Sequence, residues 1–241
     1  MCTVTAFQKN AEIEVFFNRD ESRKRQKALP PSLFKLKNTK YIAPIDTDAK
    51  GTWILVNEFG IILCLLNYHP KNYFPEKSSR YETRGEILHK IADVKSIADF
   101  KNSLTKINPH SYRPFSLLLI SHMQNICVTW TPSNNQLEYN ENIQLPYSSS
   151  SFQTKNVISS RKKLFLALAD EKEINSDFFF NYHKSHIPEK GPFSVCMHRE
   201  DAKTVSFSHI IVKQNEIIFK YLNESPCKGK YFQQISLNKG V

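Results

Sequence analysis

The run Ile61-Ile62-Leu63-Cys64-Leu65-Leu66, reached directly from Glu58-Phe59-Gly60, constrains the fold of this chain more than any other segment. A strand without polar alternation has to be covered on both faces, so it belongs to the interior of a layered protein. It is far too short to cross a bilayer, which takes about 20 apolar residues. Thr52 to Asn57 precedes it and completes a hairpin around the Glu58-Phe59-Gly60 turn.

Other segments repeat this antiparallel grammar. Thr3 to Gln8 is rich in β-formers, and Glu12 to Phe17 alternates, with Ile13, Val15 and Phe17 on one face. The Lys9-Asn10 turn makes them a hairpin that returns the chain past Phe17 to the neighbourhood of Cys2. Phe115 to Ile120 and Ile126 to Trp130 form another strand pair. Val205, Phe207, His209 and Ile211 alternate near the end, and Ile217 to Leu222 follows across Gln214-Asn215. Residues 22–50, with a basic cluster, Pro30-Pro31 and Pro44, read as an irregular surface excursion. Helices are expected after the capping-box pattern Thr83-Arg84-Gly85-Glu86, after Ser96 to Asp99 with an end at Pro109, and over Ser159 to Ala169. Grouped helices among antiparallel hairpins give an α+β fold without βαβ repeats.

The chain has 241 residues, 40% hydrophobic and 12% aromatic, enough to bury a core as a single domain spanning 1–241. Its net charge of +10 favours acidic partners. No aromatic-basic platform or binding motif accompanies that charge, so no nucleic acid partner is expected. Cys2, Cys64, Cys127, Cys196 and Cys227 are odd in number and lack C-x-x-C spacing, which favours free thiols in a reducing compartment. The start MCTVTAFQKN has no basic stretch followed by an apolar core, so no signal peptide is expected. The expectation is a soluble cytoplasmic protein without membrane insertion.

Cys2 is the residue with the most chemical promise. Methionine aminopeptidase removes Met1 when the next side chain is small. Thiol and α-amine then share one residue, and an α-amine titrates at about 7.7–8.0. Such a residue supplies both nucleophile and base. Asn18-Arg19-Asp20-Glu21 ends the partner strand of the hairpin. A carboxylate there would orient the amine by a charge-assisted hydrogen bond, and an arginine would favour thiolate and hold an acidic group. The bland alternative is a solvated turn carrying an Arg–Asp pair.

The block MCTVTAF…VFFNRDESRKR resembles the start of the NRDE family, the family of transport and Golgi organisation protein 2. Gly51-Thr52-Trp53, Leu66-Asn67-Tyr68, Arg84-Gly85-Glu86 and Thr204-Val205-Ser206-Phe207-Ser208 continue the resemblance in the family's order. The resemblance implies a four-layer αββα N-terminal-nucleophile hydrolase sandwich with two mostly antiparallel sheets, similar to penicillin V acylases and bile salt hydrolases. It implies cleavage of linear amides through an acyl-thioester. Cys2 would be the nucleophile, Asp20 the anchor of its amine, Asn67 a donor to the oxyanion and Arg19 an electrostatic assistant. Asn18, Trp53 and Tyr68 would line the site. The acylases carry an oxyanion asparagine after a later strand. Tyr147-Ser148-Ser149-Ser150-Ser151 stands there instead, leaving Ser149 or Ser150 as replacements without a fixed register. The resemblance also implies a second role, carriage of haem or acyl-coenzyme A, an acidic or acyl small molecule.

Arg23, Lys24, Arg25 and Lys27 read as a solvated loop, or else as a rim in which Arg23 and Arg25 grip an acidic ligand. Arg161-Lys162-Lys163 receives the same solvated reading. His183-x-x-His186 lacks an evident third ligand, so no metal is expected, and no cofactor signature appears. Phe178-Phe179-Phe180 reads as core or pocket wall, and Trp53 as packing beside the site.

Overall fold

A computed structural model describes residues 2–71, 80–122, 124–229 and 232–240. In chain order, β1 (Cys2–Lys9), β2 (Glu12–Ser22), β3 (Leu29–Leu36), β4 (Thr39–Ile45), β5 (Ile54–Asn57) and β6 (Ile62–Asn67) come first. The helices α1 (Gly85–Lys90) and α2 (Ile97–Leu104) follow, then β7 (Phe115–Ile120), β8 (Asn125–Thr131), β9 (Gln136–Glu141) and β10 (Tyr147–Ser149). The chain continues through α3 (Thr154–Glu171), α4 (Ser176–Lys184), β11 (Ala202–Val212), β12 (Glu216–Leu222) and β13 (Gln233–Asn238). The class is α+β with two antiparallel sheets, as the hairpin order led one to expect. Among the described residues no helix is long and apolar enough to cross a membrane.

The chain divides into two compact units. The first holds most of a six-stranded sheet, in the order β10-β1-β2-β11-β12-β13, with α3 and α4. Its opening hairpin closes over Asn10, whose φ of 55° lies in the left-handed region that asparagine tolerates. Thr5, Phe16 and Asn18 face α4. Phe16 stacks on Phe179 at 5.1 Å between ring centres, and Phe178, Phe207 and Leu222 complete this core. Of the three consecutive phenylalanines, Phe178 and Phe179 are core residues and Phe180 packs partly buried against them. His183 in α4 is fully buried, and burial drives its imidazole pKa down to about 3. It stays neutral, and its Nε2 meets Thr5 Oγ1 at 2.8 Å.

The second unit holds the seven-stranded sheet β3-β4-β5-β6-β7-β8-β9 with α1 and α2. Leu63 and Leu65 of β6 pack with Leu88 and Phe100 of the helices. Ile62, Cys64 and Leu66, on the other face, are buried as well. The two-sided cover expected of this apolar strand is therefore present. Residues 22–50 depart from the expectation: β3 and β4 form a hairpin within them, and Tyr41, Ile42 and Ala43 are buried. Pro30 and Pro31 sit on the sheet's edge strand, where a missing N–H costs no ladder bond. Ser96 caps α2 as expected, its hydroxyl accepting the Asp99 N–H at 3.1 Å. Thr83 does not form the expected capping box. Its carbonyl accepts the Glu86 N–H at 3.1 Å, and the helix starts without a side-chain cap.

Two glycines explain separated pieces of the sequence resemblance. Gly51 and Gly85 lie backbone to backbone, with the Thr52 N–H donating to the Gly85 carbonyl at 3.2 Å. A Cβ at Gly85 would lie 2.8 Å from Thr52 N and O, and one at Gly51 would lie 2.7 Å from the Gly85 Cα. Main chain cannot rotate out of the way as a side-chain tip can. Gly85→Ala is expected to lower stability by about 1–3 kcal/mol, read as a shift of the urea midpoint at unchanged slope.

Candidate active site

Strand pairing gathers the N-terminal candidates at one end of the six-stranded sheet. Cys2 pairs with Arg19 of β2 on one side and Ser149 of β10 on the other, and Arg19 pairs with Ser206 of β11. Directly opposed residues point to the same face, so Ser149, Cys2, Arg19 and Ser206 form one row across four strands. All four are buried. The hydroxyls of Ser149 and Ser206 are buried without a hydrogen-bond partner, an arrangement that costs free energy unless something fills it.

The register resolves the serine run. Ser148 is on the opposite face and meets Thr3 Oγ1 at 3.0 Å. Ser150 turns back on its own loop, donating to the Phe152 carbonyl at 2.6 Å and accepting the Phe152 N–H at 3.1 Å. Of the two candidates, Ser149 is the one beside Cys2 with its hydroxyl uncommitted.

The other face carries the carboxylate. Asp20 Oδ1 accepts the Thr204 hydroxyl at 2.6 Å, and Oδ2 accepts Arg161 Nη2 at 3.3 Å. Arg161 Nη1 also donates to Thr3 Oγ1 at 2.6 Å. The Arg161–Asp20 pair has side-chain exposures of 0% on both partners, so it is a desolvated ion pair and no surface contact. This overturns the solvated reading of Arg161, which is buried while Lys162 and Lys163 beside it are exposed. A signal was present: Arg161 stands four residues from Val157 and Phe165, on the inward stripe of α3. A charge on such a stripe calls for a buried partner.

Asn18 is also on the helix side, its Nδ2 donating to the carbonyls of His183 at 2.8 Å and Val195 at 2.9 Å. It ties β2 to the chain around α4. Arg19 Nη2 reaches Glu21 at 3.3 Å, and Arg25 Nη1 comes within 3.9 Å of the same carboxylate. Arg23 Nε donates to the Arg199 carbonyl at 2.9 Å.

The electrostatics at the sulfur differ from the expectation. Burial pushes the Cys2 thiol above its ordinary value, and the Asp20 carboxylate adds to that. The Asp20 backbone N–H and the Arg19 guanidinium pull the other way without reversing it. The expected thiolate preference from Arg19 is thus outweighed by desolvation. A buried thiol in this setting needs a base at hand before it can attack.

In the second unit, Trp53 is buried, and its carbonyl accepts the Leu65 N–H at 2.8 Å. Asn67 ends β6 opposite Phe115 and is half-buried, and Tyr68 is exposed with its N–H on the Pro114 carbonyl at 3.2 Å. Arg84 Nη1 donates to that same carbonyl at 2.9 Å, which accounts for the arginine of the Arg84-Gly85-Glu86 block.

Solved structures share this fold at low sequence identity. A cysteine-to-alanine mutant of the conjugated bile acid hydrolase from Clostridium perfringens superposes with a TM-score of 0.57 at 12% identity, covering 98% of this chain and 92% of that one. An arginine-to-leucine variant of the same enzyme gives 0.58 at 11% identity, covering 100% and 98%. The Caenorhabditis elegans ortholog of N-acylethanolamine-hydrolyzing acid amidase gives 0.55 at 9% identity, covering 87% and 92%. These are N-terminal-nucleophile hydrolases, the fold type the sequence resemblance implied. A comparison with curated protein sequences found no match. The protein-family model described as Transport and Golgi organisation 2 matches residues 1–216. That match covers most of the chain, and the chain belongs to the Transport and Golgi organisation 2 family.

Proposed function

We propose that this protein hydrolyses linear acyl amides through Cys2, once Met1 has been removed. The observation that carries the reading is the buried row Ser149–Cys2–Arg19–Ser206, with an uncommitted hydroxyl directly beside the thiol. Removal of Met1 leaves the α-amine on the same residue as the sulfur. The amine takes the thiol proton, and the sulfur attacks the amide carbonyl carbon. Ser149 Oγ donates to the oxyanion that forms. The intermediate collapses to an acyl-thioester as the ammonium protonates the leaving amine. Water, deprotonated by the same amine, then releases the acid and restores the thiol. Asp20, held by Arg161 and Thr204, acts as a fixed negative charge for the ammonium, not as a proton carrier. Arg19 faces the thiol side and favours its ionised form.

The other role implied by the sequence resemblance, carriage of haem or acyl-coenzyme A, draws less support. Arg23 is already bound to a backbone carbonyl, and Arg25 lies beside Glu21.

The test is chemical. Intact mass of the native protein is expected to lack Met1, and with the freed α-amine at hand to take its proton, Cys2 is expected to react with a limiting alkylating reagent before Cys64 and Cys127, although all three are buried. Hydrolytically active protein that retains Met1 would sink the reading.

A further inference from the structure

Four side chains outside the Cys2 row converge near the connection between α4 and β11. His186, Cys196 and His198 come from residues 185–201, which contain no helix or strand beyond an isolated bridge from His198 to Lys203. Cys227 comes from the turn after β12. One ligand atom from each lies within 4.8 Å of all the others. Cys196 Sγ is 3.5 Å from His198 Nε2, and Cys227 Sγ is 3.4 Å from the same nitrogen. Zinc–sulfur bonds of about 2.3 Å and zinc–nitrogen bonds of about 2.0–2.1 Å, set tetrahedrally, put ligand atoms about 3.3–3.8 Å apart. The two sulfur–nitrogen separations match edges of such a tetrahedron, and no pair of the four ligand atoms lies farther apart than 4.8 Å.

We propose that His186, Cys196, His198 and Cys227 bind one zinc(II) ion in a closed, structural Cys2His2 site. Three observations favour a metal over a mere thiol–imidazole contact. The Nε2 of His186 is buried without a hydrogen-bond partner, and a metal bond supplies the partner it lacks. Two thiolates neutralise a dication, so the complex carries no net charge into a partly buried setting. The supporting shell is already built: Cys196 N–H donates to the Ser185 carbonyl at 3.0 Å, and Ser194 Oγ donates to the Cys196 carbonyl at 2.8 Å. His198 N–H is likewise fixed on the Gly191 carbonyl at 3.2 Å. Four protein ligands leave no open position, so the ion acts as a staple. It joins the long α4–β11 connection to the turn after β12, where local structure alone provides little to hold either. Binding releases two protons, one from each thiol, with no change of oxidation state.

The site bears on the Cys2 row through Thr204. The Thr204 N–H donates to the Met197 carbonyl at 2.8 Å, between the ligands Cys196 and His198, and the Thr204 hydroxyl holds Asp20. The zinc site does not depend on hydrolysis, and the measurements below do not involve Cys2.

Full-length protein prepared with reductant is expected to contain close to one zinc per chain by elemental analysis. Replacement by cobalt(II) is expected to produce the visible bands of tetrahedral cobalt and a thiolate-to-metal charge-transfer band. Cys227→Ser and His186→Ala are expected to weaken zinc binding by more than about 100-fold in competition with a chromophoric chelator, while Cys64→Ala keeps full stoichiometry. Cys227 and His186 are partly exposed, which favours folded variants, and the cobalt spectrum of the unaltered protein reads the site if a variant fails. Zinc far below one equivalent without a cobalt–thiolate band would overturn the proposal. So would a Cys196–Cys227 disulfide in place of metal under the same reducing preparation.

Discussion

Arg161→Met is expected to cost about 3–5 kcal/mol of folding stability, because it strands the Asp20 carboxylate in a desolvated position. Both partners of that pair have 0% side-chain exposure, so water cannot replace the lost guanidinium. The same substitution removes the donor to Thr3 Oγ1, leaving two buried groups short of a partner. The neighbouring Lys163→Met, on an exposed side chain, is expected to change stability by less than about 0.5 kcal/mol. Urea unfolding followed by tryptophan fluorescence separates the two cases. If Arg161→Met shifts the free energy no more than Lys163→Met does, the buried pair is not the anchor described above. Removing both charges with Asp20→Leu and Arg161→Met is expected to recover part of the loss, since an apolar pair has no desolvated charge to support.

Cys2→Ala is expected to reduce turnover of linear acyl amides by at least about 10⁴-fold while leaving the unfolding midpoint nearly unchanged. In the proposed mechanism the nucleophile and its base act as a unit, so deleting the sulfur would end the covalent route and leave only binding and oxyanion stabilisation. Ser149→Ala probes that remainder. Its hydroxyl has no hydrogen-bond partner among the described residues, so truncation should cost folding little, yet kcat is expected to fall by about 10²–10³-fold. KM should move far less than kcat, because the oxyanion exists only on the way to the acyl-thioester. A panel of N-acyl amino acids and N-acyl amines, assayed by release of the free acid, checks both variants. Full activity in Cys2→Ala would remove the mechanism.

Local signals carried much of the architecture. The β1–β2 hairpin follows from alternation on either side of a turn that asparagine can occupy, and that hairpin alone puts Arg19 opposite Cys2. The two-sided burial of β6 follows from its unbroken apolar run. The cap of α2 follows from a serine three residues before an aspartate. Each of these depends on residues close in sequence, or on a period that a single element imposes on itself. The β3–β4 hairpin failed this way of reading because Pro30 and Pro31 look like loop punctuation until the edge strand β3 accepts them.

Ordinary chain logic thus determined the class, the main hairpins, and the pairing of a thiol with an arginine at the end of a strand. Tertiary structure decided the rest of the site. It set Ser149, out of a run of four serines, opposite Cys2 by the register of β10 on β1, a placement that composition cannot give when neighbouring residues are identical. It turned Arg161 from an apparent surface charge into the buried partner of Asp20, 141 residues away. It separated His183 from His186, sealing the first against Thr5 and bringing the second to Cys196, His198 and Cys227. Hydrophobic period records which side of an element faces inward. Which polar groups meet there depends on how distant elements dock, because a buried charge or ligand atom is satisfied by whatever chain packing brings within about 3 Å.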